Sequence, residues 1–179
     1  MSVRICTVGH GARPIGELVA ILVEARVGTL VDVRREPGSR RHPQFGREAL
    51  AAAVEKAGIR YTWQGDTLGG RRRRRAGSRH TAVPEPALAA YADHMDTAAF
   101  RAAIDELVAA PGPLAVMCAE TRWTQCHRML IADALALRGA AVEHLTGPGA
   151  REPHRLSPGV RRDDDDRPVY DAQPTLPGL

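Results

Sequence analysis

Four residues of this 179-residue chain have side chains that make or break bonds and stand where a fold can use them: Asp32, Cys118, Glu120 and Cys126. Asp32 lies between Val31 and Val33, so alternation turns it away from both, and a carboxylate there serves as a general base or an electrostatic stabiliser. Cys118-Ala119-Glu120 sets two polar side chains on one side of an extended segment, with Glu120 placed to act as acid or base. Thr124-Gln125-Cys126-His127-Arg128 reads as a helix start, with Thr124 as its N-cap. Free amides and partial positive charge at such a start attract anions and favour a thiolate, and Arg128 reinforces both effects. His10 or His127 would be the base for a cysteine nucleophile. Each residue also has a plainer reading: Asp32 held by Arg34 or Arg35 or by turn amides, and the cysteines packed as small buried residues. Burial explains cysteines readily and carboxylates poorly. Asp32 and Glu120 therefore rank first for chemistry, and the helix start ranks as an anion-binding corner.

A second group of residues suits anion binding. Arg34 opens a Pro- and Arg-rich loop containing Ser39 and Arg40 and ending at Phe45, and Gly69-Gly70 precedes five arginines at 71–75. Arginine grips phosphate bidentately, and Phe45, Tyr61 or Trp63 offers a face for stacking a base. Nearly all the positive charge is arginine, Lys56 being the only lysine. The bland alternatives are compositional bias and a solvated basic surface, with Phe45 anchoring its loop. His10, Cys118, Cys126 and His127 are ligand types for zinc, but Cys118 and Cys126 do not have the spacing of a closed site, so no metal or other cofactor is expected.

These groups must be carried by strands and helices in alternation. Apolar runs place strands over 4–8, 29–33, 59–63, 114–118 and 141–145. Helical spacing places helices over 14–27, 48–57, 87–95, 97–110 and 124–138, with a long loop over 68–86. The pattern implies a single α/β domain over 1–157, Rossmann-like and three-layered, with a mostly parallel central sheet and helices on both faces. An irregular extension over 158–179 wraps the domain and frays at its end. Ligands of such sheets bind beyond the carboxyl ends of the strands, where His10, Asp32 with Arg34, and Cys118 with Glu120 all fall. The chain is 44% hydrophobic and 26% charged, which excludes a disordered class. No apolar run approaches the ~20 residues of a membrane span, and no signal peptide is visible. Three cysteines, two of them in apolar strands, suggest the reduced cytoplasm.

Seven segments, in order, resemble one family: Thr7-Val8-Gly9-His10, Leu30-Val31-Asp32-Val33-Arg34 with Ser39-Arg40, Pro43-Gln44-Phe45, Gly58-Ile59-Arg60-Tyr61, Leu68-Gly69-Gly70, Met117-Cys118-Ala119-Glu120 and Cys126-His127-Arg128. Over residues 3–157 the chain resembles the family catalogued as domain of unknown function 488. The resemblance implies a compact α/β domain of the bacterial or archaeal cytoplasm and supplies no reaction. From the residues, the first expectation is an enzyme acting on a nucleobase in nucleic acid or a nucleotide, in repair or modification. Its concrete form is hydrolysis of an N-glycosidic bond, with Asp32 and Glu120 catalytic. His10, Arg34, Ser39, Arg40, Phe45, Tyr61, Gly69, Gly70, Cys118, Cys126, His127 and Arg128 would bind substrate. The alternatives are a thiol enzyme on a small anionic substrate, using Cys126 or Cys118, and a non-catalytic nucleic-acid-binding module. The expected partner is DNA rather than RNA, or a nucleotide, with no membrane association, and the chain would be a monomer or small homo-oligomer.

Overall fold

The computed structural model describes residues 3–38 and 40–171. Strands β1 (Arg4–Gly9), β2 (Thr29–Asp32), β3 (Arg60–Trp63), β4 (Leu114–Cys118) and β5 (Ala141–Gly147) run parallel, and β6 (Ala150–Pro153) turns back antiparallel on β5. The order across the sheet is β3-β2-β4-β1-β5-β6. Strand parity divides the core between two faces. Cys6, Val8, Leu30, Ala115 and Met117 pack under α1 (Ile15–Glu24) and α2 (Arg47–Lys56). Ile5, Val31, Leu114, Val116 and Cys118 pack under α4 (Pro86–Met95), α5 (Ala98–Ala109) and α6 (Arg128–Leu137), while α3 (Gly65–Leu68) is a single turn after β3. The expected three-layer, mostly parallel α/β architecture is thus present.

That division locates the functional end of the sheet. β1 and β4 are neighbours, yet the chain leaves β1 toward the α1 face and leaves β4 toward the α6 face. Adjacent strands whose connections part in this way open a crevice beyond their carboxyl ends. Here the two exits are also laced together, His10 N donating to Cys118 O at 3.0 Å and Gly11 N to Ala119 O at 3.0 Å.

Two local readings are corrected, and the long loop gains detail. The last helix starts at Arg128, after a separate 3₁₀ turn at Trp123–Gln125, so Thr124 is not its N-cap. The expected long loop is present and is tied down: buried Asp93 accepts from Arg74 and Ser78 and from the Arg75 amide, and the Arg74 side chain also reaches the carbonyls of Ala89 and His80. The extension, finally, is not irregular as far as residue 171. It carries a hairpin of β7 (Val160–Arg162) and β8 (Pro168–Tyr170), docked where buried Tyr170 donates to Asp133 Oδ2 on α6 at 2.9 Å. Arg79 ties it further by pairing with both Asp96 and Asp163. The expected frayed end, 172–179, lies outside the described residues. Among the described residues no helix is long and apolar enough to cross a membrane.

Candidate functional site

The strand ends carry two polar clusters rather than one, because the sheet itself separates them. Asp32 shares the parity of Leu30 and faces α1 and α2, whereas Cys118 shares the parity of Val116 and faces α6. The register fixes this: Asp32 pairs with Met117, one residue short of Cys118.

The cluster on the α1 side is closed. Asp32 Oδ1 accepts from the Arg34 amide at 3.0 Å and Nε at 2.9 Å, and Oδ2 accepts from Arg34 Nη2 at 2.6 Å and Tyr61 OH at 2.7 Å. Four bonds use the acceptor capacity of a carboxylate. Arg34 Nη1 donates to Phe45 O at 2.8 Å and to His10 Nε2 at 3.3 Å, and His10 Nδ1 donates to Gly11 O at 2.8 Å. His10 stacks on Phe45 with centroids 4.2 Å apart. Burial lowers the His10 pKa to about 4, so the ring is neutral and accepts at Nε2 as this network needs. Phe45 is fully buried and anchors its loop, and Trp63 lies under the Arg47 guanidinium and donates to Arg34 O. Asp32 therefore offers no free base here, Phe45 offers no open stacking face, and Arg47 covers one face of half-buried Trp63. The cluster pins the 34–45 loop to the sheet. Ser39 lies outside the described residues, and Arg40 is exposed.

The cluster on the α6 side centres on a buried cation. Arg128 is 1% exposed, and the ion pairs of the described residues leave it without a carboxylate. Its Nε donates to Cys118 Sγ at 3.0 Å, Nη1 to Thr7 Oγ1 at 3.3 Å, and Nη2 to the carbonyls of Glu120 at 2.6 Å and Thr121 at 3.3 Å. Cys126 Sγ lies 2.8 Å from Cys118 Sγ, receives the Arg128 amide at 3.4 Å and stands 3.7 Å from His127 Nδ1. A buried guanidinium without an anion costs several kcal/mol, and the sulfurs are the groups able to supply one. The hydrogen bond from Cys118 pulls the Cys126 thiol well below its ordinary range, against burial, with His127 and Arg128 helping. Burial first, then the contact with Cys126, pushes Cys118 up. The two sulfurs therefore titrate as a pair, with Cys126 the side favoured as thiolate and Cys118 the side favoured as thiol.

Several neighbours shape this corner. Gly9 is required because a Cβ there would strike Glu120 O and the Arg128 guanidinium. Gly69 admits the close approach of Arg35 and Gly65, and a Cβ on Gly70 would sit 3.3 Å from His127 Nδ1, so the arginine loop passes directly beside the thiol pair. Buried Tyr91 donates to Leu68 O at 2.6 Å and sets its ring 5.0 Å from His127. The Glu120 side chain is exposed, and only its main chain belongs to the cluster.

The residue list read from the sequence lacks the polar spine behind Arg128. Thr7 Oγ1 donates to His144 Nδ1 at 2.7 Å, His144 Nε2 to His154 Nδ1 at 2.9 Å, and His154 Nε2 to Asp133 Oδ1 at 2.9 Å. Trp123 stacks flat on His144 at 3.9 Å. Burial, then His154 and Arg128, lowers the His144 pKa to about 3, in keeping with a neutral ring that accepts from Thr7. The available signal was a polar residue inside each apolar element: Thr7 in β1, His144 in β5 and Asp133 in α6. At the opposite end of the sheet a cavity of about 160 Å³, lined by residues including Thr29, Arg60, Glu106 and Leu114, contains neither cysteine nor histidine.

The family model described as Domain of unknown function DUF488 matches residues 14–135, about two thirds of the chain and a narrower span than the resemblance over 3–157. No curated protein and no solved structure matches.

Two outcomes follow from these networks. Asp32→Asn leaves the Arg34 guanidinium buried without its counter-charge, so urea unfolding should show a loss of about 3–5 kcal/mol; an Asp32→Asn protein of unchanged stability would refute the structural role. His10 and His144 are held neutral below the ordinary value near 6.5. The unfolded chain takes up those protons first, so stability is full above about pH 6.5 and falls as pH drops toward the folded values. Urea midpoints should decline between about pH 7 and about pH 5, above the carboxylate range, and His144→Gln should flatten the slope. A level profile in the parent protein would sink the assignment.

Proposed function

For a chain that belongs to the DUF488 family, whose description names no reaction, we propose a thiol-dependent enzyme acting on a small anionic substrate, with Cys126 as nucleophile. The observation that carries this is the buried Arg128, paired with no carboxylate among the described residues and lying beside two sulfurs 2.8 Å apart. A guanidinium held in that position stabilises a thiolate, and the thiolate is the reactive form of cysteine. Cys118 lies 2.8 Å from it, the Arg128 amide reaches it while the Arg128 guanidinium holds the Cys118 sulfur, and His127, against Gly70, stands between it and the arginine loop. Anion preference follows from the rim beside that corner. Arg35 reaches Arg71 O, Arg71 pairs with Glu36, and the exposed Arg40, Arg41 and Arg73 extend the positive surface. Part of the 71–75 run is internal bracing, since Arg72 donates to the carbonyls of Gly69 and Asp66, and Arg74 pairs with Asp93.

Iodoacetamide labelling tests the reading directly. Labelling of Cys126 in the folded protein, followed by mass spectrometry from about pH 5 to about pH 9, should stay nearly level well below the ordinary thiol value near 8.5. Cys126→Ser should abolish the level phase, and Cys118→Ser should move the inflection upward. A Cys126 that labels only as pH rises through about 8.5, or only after unfolding, would overturn it.

The same rim favours a second reading, in which the anion is a nucleic acid or nucleotide. In that version a carboxylate needed for N-glycosidic hydrolysis is Glu120, which is exposed, since Asp32 is fully bonded. Binding of a DNA oligonucleotide should weaken steeply with salt, and Arg40→Ala with Arg41→Ala should each lower the salt slope by about 1. Absence of salt-dependent binding removes this reading and leaves the first untouched.

A further inference from the structure

We propose that Cys118 and Cys126 are a reversible dithiol–disulfide pair that reduces a small hydroperoxide, with Cys126 attacking and Cys118 resolving. The proposal takes from the preceding reading Cys126 as the thiolate, not its anionic substrate, and adds a second activity of the same two sulfurs on an uncharged one. Geometry carries it. At 2.8 Å the two sulfurs are within about 1 Å of the ~2.05 Å disulfide bond, so they already stand in position to join. Cys126 and Cys118 are 4% and 2% exposed, so a small, uncharged oxidant fits the access better than a bulky one. His127 Nε2 is buried and has no hydrogen-bond partner among the described residues, and it belongs to the ring whose other nitrogen is 3.7 Å from Cys126 Sγ. That nitrogen is a ready partner for a peroxide oxygen. Cys6 lies on the other face of the sheet under α1 and cannot join the pair.

The chemistry balances in two steps. The Cys126 thiolate attacks the near oxygen of the hydroperoxide, the O–O bond breaks, and Cys126 sulfenic acid forms as hydroxide (or alkoxide) leaves and takes a proton from water. Cys118 sulfur then attacks the sulfenic sulfur, the S–O bond breaks, and water departs with the Cys118 proton as the disulfide forms. Two electrons have passed from the two sulfurs to the peroxide. Two equivalents of a small thiol restore the pair by exchange. The disulfide is neutral, so oxidation deprives buried Arg128 of its anion. The reduced form is the favoured one, which makes the disulfide a strong oxidant that such thiols reduce readily.

Full-length reduced protein treated with one equivalent of hydrogen peroxide should lose two of its three titratable thiols. Trypsin cuts after Arg122, so the disulfide appears as peptide 102–122 joined to peptide 123–128 in an unreduced digest. Cys6→Ser should give the same linked peptides. Cys118→Ser should stop at a dimedone-trappable sulfenic acid on Cys126, and Cys126→Ser should abolish rapid peroxide consumption. If Cys126 labels rapidly at low pH yet peroxide yields no linked peptide, or drives Cys126 on to sulfinic acid unlinked, the redox proposal falls and the thiolate reading stands. If neither labelling nor linkage occurs, both fall.

Discussion

Arg128 carries a charge in a place where water cannot solvate it. Leaving a guanidinium unpaired in such a place costs several kcal/mol, which the surrounding fold must offset. It does so with weak acceptors gathered from three separate segments: the Cys118 sulfur at the end of β4, the carbonyls of Glu120 and Thr121 in the next loop, and Thr7 inside β1. None of these is a carboxylate. The site therefore gains from ionising a thiol, and the thiol chemistry proposed for it has the same cause as the stability of its framework.

Thr7 shows how far this constraint reaches. A hydroxyl in the middle of a buried strand is costly unless bonded, and here it accepts from Arg128 and donates to His144. His144 then needs an acceptor, His154 provides it, and Asp133 completes the line while holding Tyr170 of the extension. The hairpin at the end of the described chain is thus connected, bond by bond, to the guanidinium at the strand ends. On the other face the closed unit of Asp32, Arg34, Tyr61, His10 and Phe45 fixes the basic loop that rims the same corner. One cluster gathers the two sulfurs around a buried guanidinium, and the other anchors the basic loop.

Much of the layout was legible in the chain. Alternating apolar strands and amphipathic helices required an α/β sheet, and the residues after β1, β2 and β4 had to gather at one end. Local context also drew attention to Cys126, His127 and Arg128, which the fold brings together with Cys118, and it carried the two readings of Asp32 side by side. The start of α6 was misread because Thr124 is a good cap by type, whereas the chain there makes a separate 3₁₀ turn that brings Cys126 beneath Cys118. The arginine run looked like surface charge, yet Arg74 is a brace because buried Asp93 needs a partner.

Residue type and periodicity therefore determined, without any coordinates, the fold class and the end of the sheet that holds the polar groups, since both follow from local burial patterns. Which of those groups meet was decided by tertiary structure alone. Parallel register sets Asp32 beside Met117 rather than Cys118, and a shift of one residue would have put the carboxylate on the thiol side. Register is a property of two strands 82 positions apart in the chain, counting Asp32 to Leu114, and no local pattern encodes it. The same long-range packing leaves Arg128, among the described residues, without a carboxylate and sets two buried sulfurs 2.8 Å apart beside it.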